Sequence, residues 1–290
     1  MAKWTDGYWW SNDGLRLHYR DYAGREDRPP IICIPGLTRN ARDFEGVAER
    51  LSPDWRVICV ELRGRGESAY AKDPMTYVPL TYLQDLEALL RELVPARFVA
   101  FGTSLGGLLT MLMAPVERER LAGALINDVG PEISAEGLER IRGYVGRSQS
   151  FPTWMHAARH FQEVQGDLFP NWDLEAWLVF AKRLCKLTGK GRIVLDYDMR
   201  LAEPFKLPGG VTGFDTWAAF TGLKNVPTTL VRGEITDLLS EETVMRMRSA
   251  VDDLEVVTVP DVGHAPTLDE PEAVAAIERL LARVEGRPRG

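Results

Sequence analysis

A serine stands at the centre of the segment GTSLG at residues 102–106, between two apolar runs. Residues 98–101 are typical of a buried strand, and residues 105–113 are typical of a buried helix. A serine at such a sharp strand-to-helix turn projects its hydroxyl from the sheet edge, and small neighbours let the backbone pass close by. The free N–H groups at the helix start would face any negative charge that develops there. The spacing therefore predicts Ser104 as a nucleophile.

A base must take the proton of this serine, because a serine hydroxyl is a weak nucleophile at neutral pH. Of the four histidines, His264 alone follows a late predicted strand, in the segment DVGHAP at residues 261–266. Loops after strand ends carry the catalytic groups in open α/β sheets. The other histidines are His18, in a predicted hairpin, and His156 and His160, in a predicted helix. We therefore expect His264 to be the base.

A carboxylate must in turn orient the base, and three acidic residues follow predicted strands. Asp237 lies just beyond the predicted strand 226–232, so that the acid falls between the serine and the histidine in chain order. Asp128, at the end of the predicted strand 121–129, is its rival, and Glu234 is a weaker one. The sequence favours Asp237 as the acid and leaves Asp128 to anchor the segment that follows it.

Two other patterns imitate binding motifs but lack part of the chemistry. His156 and His160 have the spacing of two zinc ligands on a helix, yet no glutamate of the metalloprotease motif separates them and no third ligand suggests itself. A glycine-rich segment at residues 64–69 follows a predicted strand, but Pro74 and Pro79 interrupt the helix that would hold a pyrophosphate. We therefore predict no metal site and no cofactor.

The elements that must position these residues alternate between strand and helix. Residues 8–11 and 15–22 predict a hairpin, and the apolar runs 30–35 and 55–62 are typical of parallel strands covered on both faces. Strict alternation implies a doubly wound α/β sheet with right-handed crossovers. The further predicted elements are the helices 41–51, 80–93, 105–113 and 273–284 and the strands 98–101, 121–129, 226–232 and 254–259.

The alternation breaks between residues 130 and 213. This stretch predicts three helices and no clear strand, at 135–145, 153–164 and 174–187. The simplest architecture is one α/β core in two parts, residues 1–129 and 214–290, with a helical cap at 130–213 inserted between two strands.

Aromatic side chains of the predicted cap are candidates for the wall of an apolar pocket above the serine. They are Phe151, Trp154, Trp172 and Trp177. Aromatic residues at helical spacing more often pack in a core than contact a ligand. We expect Trp154, near the start of a cap helix, to be the one that touches the substrate.

The motifs together resemble the capped serine branch of the α/β-hydrolase superfamily over nearly the whole chain. The matching segments are IPGL at 34–37, ELRGRGES at 61–68, the GTSLG turn, GEITD at 233–237 and the pair GH at 263–264. The order Ser104, Asp237, His264 is also that of the family. The resemblance implies the α/β-hydrolase fold, a doubly wound and mostly parallel sheet of about eight strands with an inserted helical cap.

The resemblance also implies an oxyanion hole made of two backbone N–H groups. One belongs to Leu105, directly after the nucleophile, and the other to Leu37, in the loop after the third strand. Pro35 stands where the family usually has a histidine. Since backbone groups bind the oxyanion, we expect the hole to be retained.

Composition limits the partners and the location. The 290 residues carry a net charge of −7 and no basic run, which argues against nucleic-acid binding. The three cysteines are too few and too scattered for a disulfide framework. Residues 99–116 lack charge but contain three glycines and a proline, which favours a strand, a turn and a helix over a membrane span. With no signal-like apolar stretch near the first residue, we expect a cytoplasmic protein with a small-molecule substrate.

These observations predict a cofactor-independent serine hydrolase that cleaves small, fairly apolar carboxylic esters or lactones through an acyl-enzyme. Two alternatives stay open: hydrolysis of a C–C bond in a ring-cleavage product, and a ligand receptor that keeps an intact triad. A serine rather than an aspartate at position 104 argues against haloalkane dehalogenase or epoxide hydrolase chemistry, for which the resemblance would require a carboxylate nucleophile.

Overall fold

Eleven strands and nine α-helices form among the residues that the computed structural model describes, 3–94, 96–206 and 213–286. The strands are β1 Thr5–Trp10, β2 Arg16–Tyr22, β3 Ile31–Ile34, β4 Val57–Glu61, β5 Phe98–Thr103, β6 Leu121–Asn127, β7 Ser150–Phe151, β8 Cys185–Leu187, β9 Ile193–Leu195, β10 Thr228–Gly233 and β11 Leu254–Val259. The helices are α1 Glu45–Leu51, α2 Pro79–Leu93, α3 Leu105–Met113, α4 Ala135–Tyr144, α5 Trp154–Gln165, α6 Leu174–Leu184, α7 Thr216–Thr221, α8 Glu241–Ala250 and α9 Pro271–Glu285.

Eight of these strands form the central sheet, in the order β1-β2-β4-β3-β5-β6-β10-β11. Strand β2 pairs antiparallel with both β1 and β4, whereas the pairs from β4 to β11 are parallel. Parallel strands need a crossover between them, and the helices supply these crossovers on both faces. The predicted doubly wound, mostly parallel sheet is therefore confirmed.

The apolar core lies in two layers, one on each face of the sheet. Along β3, Ile31 and Cys33 belong to one layer and Ile32 and Ile34 to the other, because successive side chains of a strand point to opposite faces. Helices α1 and α9 cover the first layer, and α2, α3, α7 and α8 contribute to the second. Burial on both faces explains why the parallel strands are continuously apolar.

The stretch between β6 and β10 contains α4, α5 and α6, as predicted, and also a small antiparallel sheet in the order β7-β9-β8. The prediction that this stretch holds no strand is wrong. Residues 185–187, which we expected at the end of a helix, form β8 instead, and a turn closed by Thr188 and Arg192 returns the chain into β9. Strands of two or three residues are too short to show a periodic pattern. The predicted end of the cap lies beside residues 207–212, which fall outside the described part of the chain.

Candidate active site

Ser104 lies at the turn between β5 and α3, at the carboxyl edge of the sheet. Its backbone has φ 54° and ψ −116°, a region that residues other than glycine rarely adopt. The turn is tight because two glycines allow backbone segments to pass each other. A β-carbon at Gly102 would lie 2.2 Å from the carbonyl oxygen of Gly106, and one at Gly106 would lie 1.9 Å from that of Ile34. The sequence thus confines Ser104 to a strained turn that projects its side chain away from the sheet.

His264 comes from the loop after β11 and contacts Ser104 directly. Its Nε2 lies 2.9 Å from Oγ of Ser104, and its Nδ1 lies 2.7 Å from Oδ2 of Asp128. A carboxylate only accepts hydrogen bonds, so Nδ1 donates to Asp128 and Nε2 is free to accept the hydroxyl proton of Ser104. The three side chains form one hydrogen-bonded chain that can move a proton from the serine to the histidine.

Asp128, and not Asp237, is the carboxylate that His264 contacts, which corrects our expectation for Asp237. Asp128 follows β6 and is fully buried. Its Oδ1 accepts a hydrogen bond from the backbone N–H of Gly233 at 2.9 Å, and its Oδ2 accepts one from Oγ1 of Thr236 at 2.6 Å. These donors hold the carboxylate in one orientation, so that the histidine ring is held as well.

Asp237 binds Arg140 of α4 instead. Its two carboxylate oxygens accept hydrogen bonds from Nε and Nη2 of Arg140, the second at 2.8 Å. Burial opposes ionisation of Asp237, but the hydrogen bonds and charge of Arg140, helped by the nearby His264, hold the pKa of this carboxyl below its ordinary value. Asp237 therefore stays charged at neutral pH, outside the hydrogen-bonded chain that joins Asp128, His264 and Ser104. Glu234, the weaker rival, accepts a hydrogen bond from the backbone N–H of Asp261.

The two residues predicted for the oxyanion hole flank Ser104. Leu105 is the first residue of α3, where an N–H group has no intrahelical acceptor. Leu37 lies in the loop after β3, which passes so close that a β-carbon at Gly36 would be 3.6 Å from Cβ of Ser104. The carbonyl oxygen of Leu37 accepts a hydrogen bond from Nε of the buried Arg65 at 2.8 Å, and this contact fixes the loop.

A cavity of about 300 Å³ lies over Ser104 and His264, between the sheet edge and the insert. Seven phenylalanine, tyrosine and tryptophan side chains contribute to its wall: Phe44, Tyr144, Phe161, Phe169, Trp172, Phe180 and Tyr197. Trp154, which we expected to touch the substrate, lies outside this wall and packs, partly buried, against the apolar cluster that includes residues of α5 and α6. It is the first residue of α5, and its side chain serves packing within the insert.

Two polar side chains that the sequence did not single out position the site. Thr236 holds Asp128, as described above. The side-chain amide of Asn127, at the end of β6, donates to Oγ1 of Thr103 at 3.1 Å and to the carbonyl oxygen of Pro266 at 2.8 Å. Asn127 thereby links the serine turn to the loop that carries His264. The sequence could have pointed to Asn127 and Thr236 only through their positions near the ends of predicted strands.

His156 and His160 make separate contacts in the insert. Nδ1 of His156 lies 2.8 Å from Oγ1 of Thr153, and Nε2 of His160 lies 2.8 Å from the amide nitrogen of Gln149. In the described ranges, no three histidine, cysteine or acidic side chains come together in a group that could hold a metal ion. Nor does any helix in those ranges combine the length and apolar character needed to cross a membrane.

Comparison with known proteins decides the family. Residues 31–277, most of the chain, match the alpha/beta hydrolase family. The chain belongs to this family. This hydrolase is 60% identical to an alpha/beta hydrolase of Novosphingobium aromaticivorans whose crystal structure superposes with a TM-score of 0.94, covering 98% of this chain and 99% of that one.

Two relatives of the hydrolase carry more specific names. A 3-hydroxybutyrate-oligomer hydrolase of Cupriavidus necator is 33% identical over 267 residues, which cover 90% of each chain. A 2-(acetamidomethylene)succinate hydrolase of Mesorhizobium japonicum is 25% identical over 244 residues, which cover 84% of each chain. Both relatives therefore extend over nearly the full length of the α/β core and its insert.

Proposed function

We propose that this hydrolase is a serine esterase in which Ser104 attacks the substrate, His264 transfers protons and Asp128 orients the histidine. The observation that supports the proposal is the hydrogen-bonded chain from Asp128 through His264 to Ser104, with distances of 2.7 and 2.9 Å. A serine within reach of a base that is itself oriented by a carboxylate is the arrangement of an activated nucleophile.

The reaction proceeds in two halves without a cofactor. Oγ of Ser104 attacks the ester carbonyl carbon while Nε2 of His264 takes the hydroxyl proton. The tetrahedral intermediate collapses, the bond to the alcohol oxygen breaks, and His264 returns the proton to the departing alcohol. In the second half His264 takes a proton from water, the resulting hydroxide displaces Ser104 from the acyl-enzyme, and the proton returns to Oγ of the serine.

The charge that develops on the carbonyl oxygen needs hydrogen-bond donors that are already in place. The backbone N–H groups of Leu37 and Leu105 are our proposal for these donors. Their positions beside Ser104 support this role, since the loop of Leu37 is fixed by Arg65. One such donor contributes about 2.7–4 kcal/mol to transition-state stabilisation.

The cavity favours a small ester. A volume of about 300 Å³ lies at the lower end of the range for small-molecule pockets, and aromatic side chains supply much of its wall. The relative from Cupriavidus necator acts, by its name, on oligomers of 3-hydroxybutyrate, whose units are joined by ester bonds. We therefore propose short esters of hydroxy acids, linear or cyclised as lactones, as the substrate class.

The proposal is tested with p-nitrophenyl esters of increasing acyl length and with a 3-hydroxybutyrate dimer. The wild type and Ser104→Ala are assayed side by side for kcat and KM. Loss of the nucleophile should lower kcat by about 10⁴- to 10⁶-fold, as in other serine triads. Equal activity of the two proteins, or a wild type that cleaves none of these esters, would overturn the esterase assignment and direct the search to C–C bonds or to bound ligands.

A further inference from the structure

The cavity wall carries more positive than negative charge, although the chain as a whole has a net charge of −7. Its charged residues other than histidine are Arg39, Arg140, Arg183 and Asp43. Arg39 is neutralised within the wall, because Asp43 accepts hydrogen bonds from its Nε and Nη2 at 2.5 and 2.6 Å. The partners of the other two arginines do not line the cavity. The wall is therefore suited to an anionic group.

Arg140 uses only one edge of its guanidinium in the described part of the chain. Nε and Nη2 bind Asp237, whereas Nη1 and the second hydrogen of Nη2 have no acceptor there. The side chain keeps 29% of its surface exposed. A guanidinium has five N–H donors in a fixed planar fork, so the open edge can take a second carboxylate in a bidentate manner.

Elsewhere in the same protein one arginine holds two carboxylates in this way. Arg63 binds Asp85 through Nε and Nη2 at 2.7 Å, and it binds Asp13 through Nη1 and Nη2 at 2.9 Å. The Arg140–Asp237 pair reproduces the first half of this arrangement. Because Arg140 lines the cavity, a ligand there would take the place that Asp13 has beside Arg63.

Arg140 also lies close to the reacting groups. On α4 it shares the cavity-lining face with Ile141 and Tyr144, one and four residues further along the helix. Its partner Asp237 directly follows Thr236, whose hydroxyl donates a hydrogen bond to Asp128 at 2.6 Å. Arg183, in contrast, reaches away to Asp269 at 3.1 Å, a carboxylate that it shares with Arg50. Arg140 is thus the arginine best placed to fix a substrate relative to Ser104.

We propose that Arg140 binds a free carboxylate of the substrate, so that the enzyme selects small esters that also carry an acid group, and that Asp237 positions Arg140 for this contact. The inference rests on the proposed esterase activity. It assigns to Asp237 a role in recognition in place of the catalytic role that the sequence favoured.

The test compares two substrates that differ only in charge: the 3-hydroxybutyrate dimer with its free carboxylate, and the same dimer capped as a primary amide. Cleavage of the internal ester is followed by chromatography. Arg140→Gln should lower kcat/KM for the acid by about 10- to 100-fold, because a hydrogen-bonded charge pair is lost, and should lower it far less for the amide. Arg140→Lys, which keeps the charge but not the fork, should recover part of the preference for the acid.

Arg142 offers a matched control on the same helix, since it is exposed and binds Glu139 at 2.6 Å. Arg142→Gln should leave both kcat/KM values unchanged. Equal losses on the acid and the amide in Arg140→Gln, or a wild type that does not prefer the acid, would overturn the inference. In those cases cleavage of p-nitrophenyl esters that depends on Ser104 would still uphold the esterase, so the two failures are distinguishable.

Discussion

The choice of the acid in the proposed triad depends on which strands are neighbours in the sheet. Strand β6 lies directly beside β5, with Asn127 opposite Thr103, so that the next residues, Asp128 and Ser104, come out side by side. Asp237 lies four residues beyond the end of β10, where the turn has already carried it towards α4. The sequence predicted the positions of Ser104 and His264 from local patterns. It ranked the two aspartates wrongly, because both follow predicted strands and both lie between the serine and the histidine, whereas strand order is a property of the tertiary structure.

This difference predicts unequal effects of two isosteric substitutions. Asp128→Asn removes the charge that stabilises the imidazolium and favours the wrong tautomer of His264, so kcat should fall by about 10⁴-fold. Asp237→Asn should cost far less on a neutral ester such as p-nitrophenyl butyrate. Steady-state kinetics of both variants check the assignment, and a larger loss in Asp237→Asn would refute it.

At the scale of elements, long periodic segments were predictable and short ones were not. Helix α3 and strand β11 have the predicted bounds, since each is a continuous run of apolar or alternating residues between clear breaks. Helix α7 has six residues and was missed, as was α8. The predicted helix 174–187 ran too far because Cys185 takes an extended conformation, with φ −113° and ψ 164°, which tertiary pairing with β9 stabilises.

Helix α3 passes so close to β3 that Gly106 has no room for a larger residue. Gly106→Ala would bring a β-carbon to 1.9 Å from the carbonyl oxygen of Ile34, so backbone must move and the free energy of unfolding should fall by about 1–3 kcal/mol. Among the described residues, no atom beyond the backbone of its own helix lies within 4 Å of a β-carbon at Gly143, in α4. Gly143→Ala should therefore raise stability, by up to about 1 kcal/mol.

Urea unfolding of the two glycine variants and the wild type measures these changes. The assay of p-nitrophenyl ester cleavage adds a second readout, since a shift of the serine turn should lower kcat in Gly106→Ala but not in Gly143→Ala. Equal stability of the two variants would contradict the close approach of α3 and β3.

At the scale of the whole molecule, a buried histidine joins three strands, β1, β2 and β4, on the other side of β3 from Ser104. His18 on β2 is 2% exposed; its Nδ1 lies 2.9 Å from Glu61 of β4, and its Nε2 lies 3.0 Å from Asp6 of β1. Burial opposes the charged ring, but the two carboxylates outweigh it and raise the pKa of His18 above its ordinary value. The ion pairs therefore stabilise the folded state while His18 is protonated.

The sign of the pH dependence follows from this direction. A histidine whose pKa is higher in the folded than in the unfolded state stabilises the folded state fully at a pH below its ordinary pKa. This contribution to the free energy of unfolding disappears as the pH rises through the raised pKa of the folded state. As the pH rises above the ordinary histidine pKa of about 6.5, the free energy of unfolding should thus fall more in the wild type than in His18→Gln. The exposed His156→Gln serves as the control and should keep the wild-type dependence; identical curves for His18→Gln would exclude the linkage.

The insertion between β6 and β10 separates the reacting groups along the chain. Asp128 and His264 are 136 residues apart, and Ser104 and His264 are 160 residues apart. Contacts between such distant segments carry the largest loop-closure entropy and are costly to form early in folding. A nascent chain acquires the proposed nucleophile and acid long before the proposed base, so chains that end before His264 should lack the proposed esterase activity. Recovery of Ser104-dependent activity after denaturation would then report that both parts of the core have joined, because the proposed nucleophile and the proposed base lie in different parts.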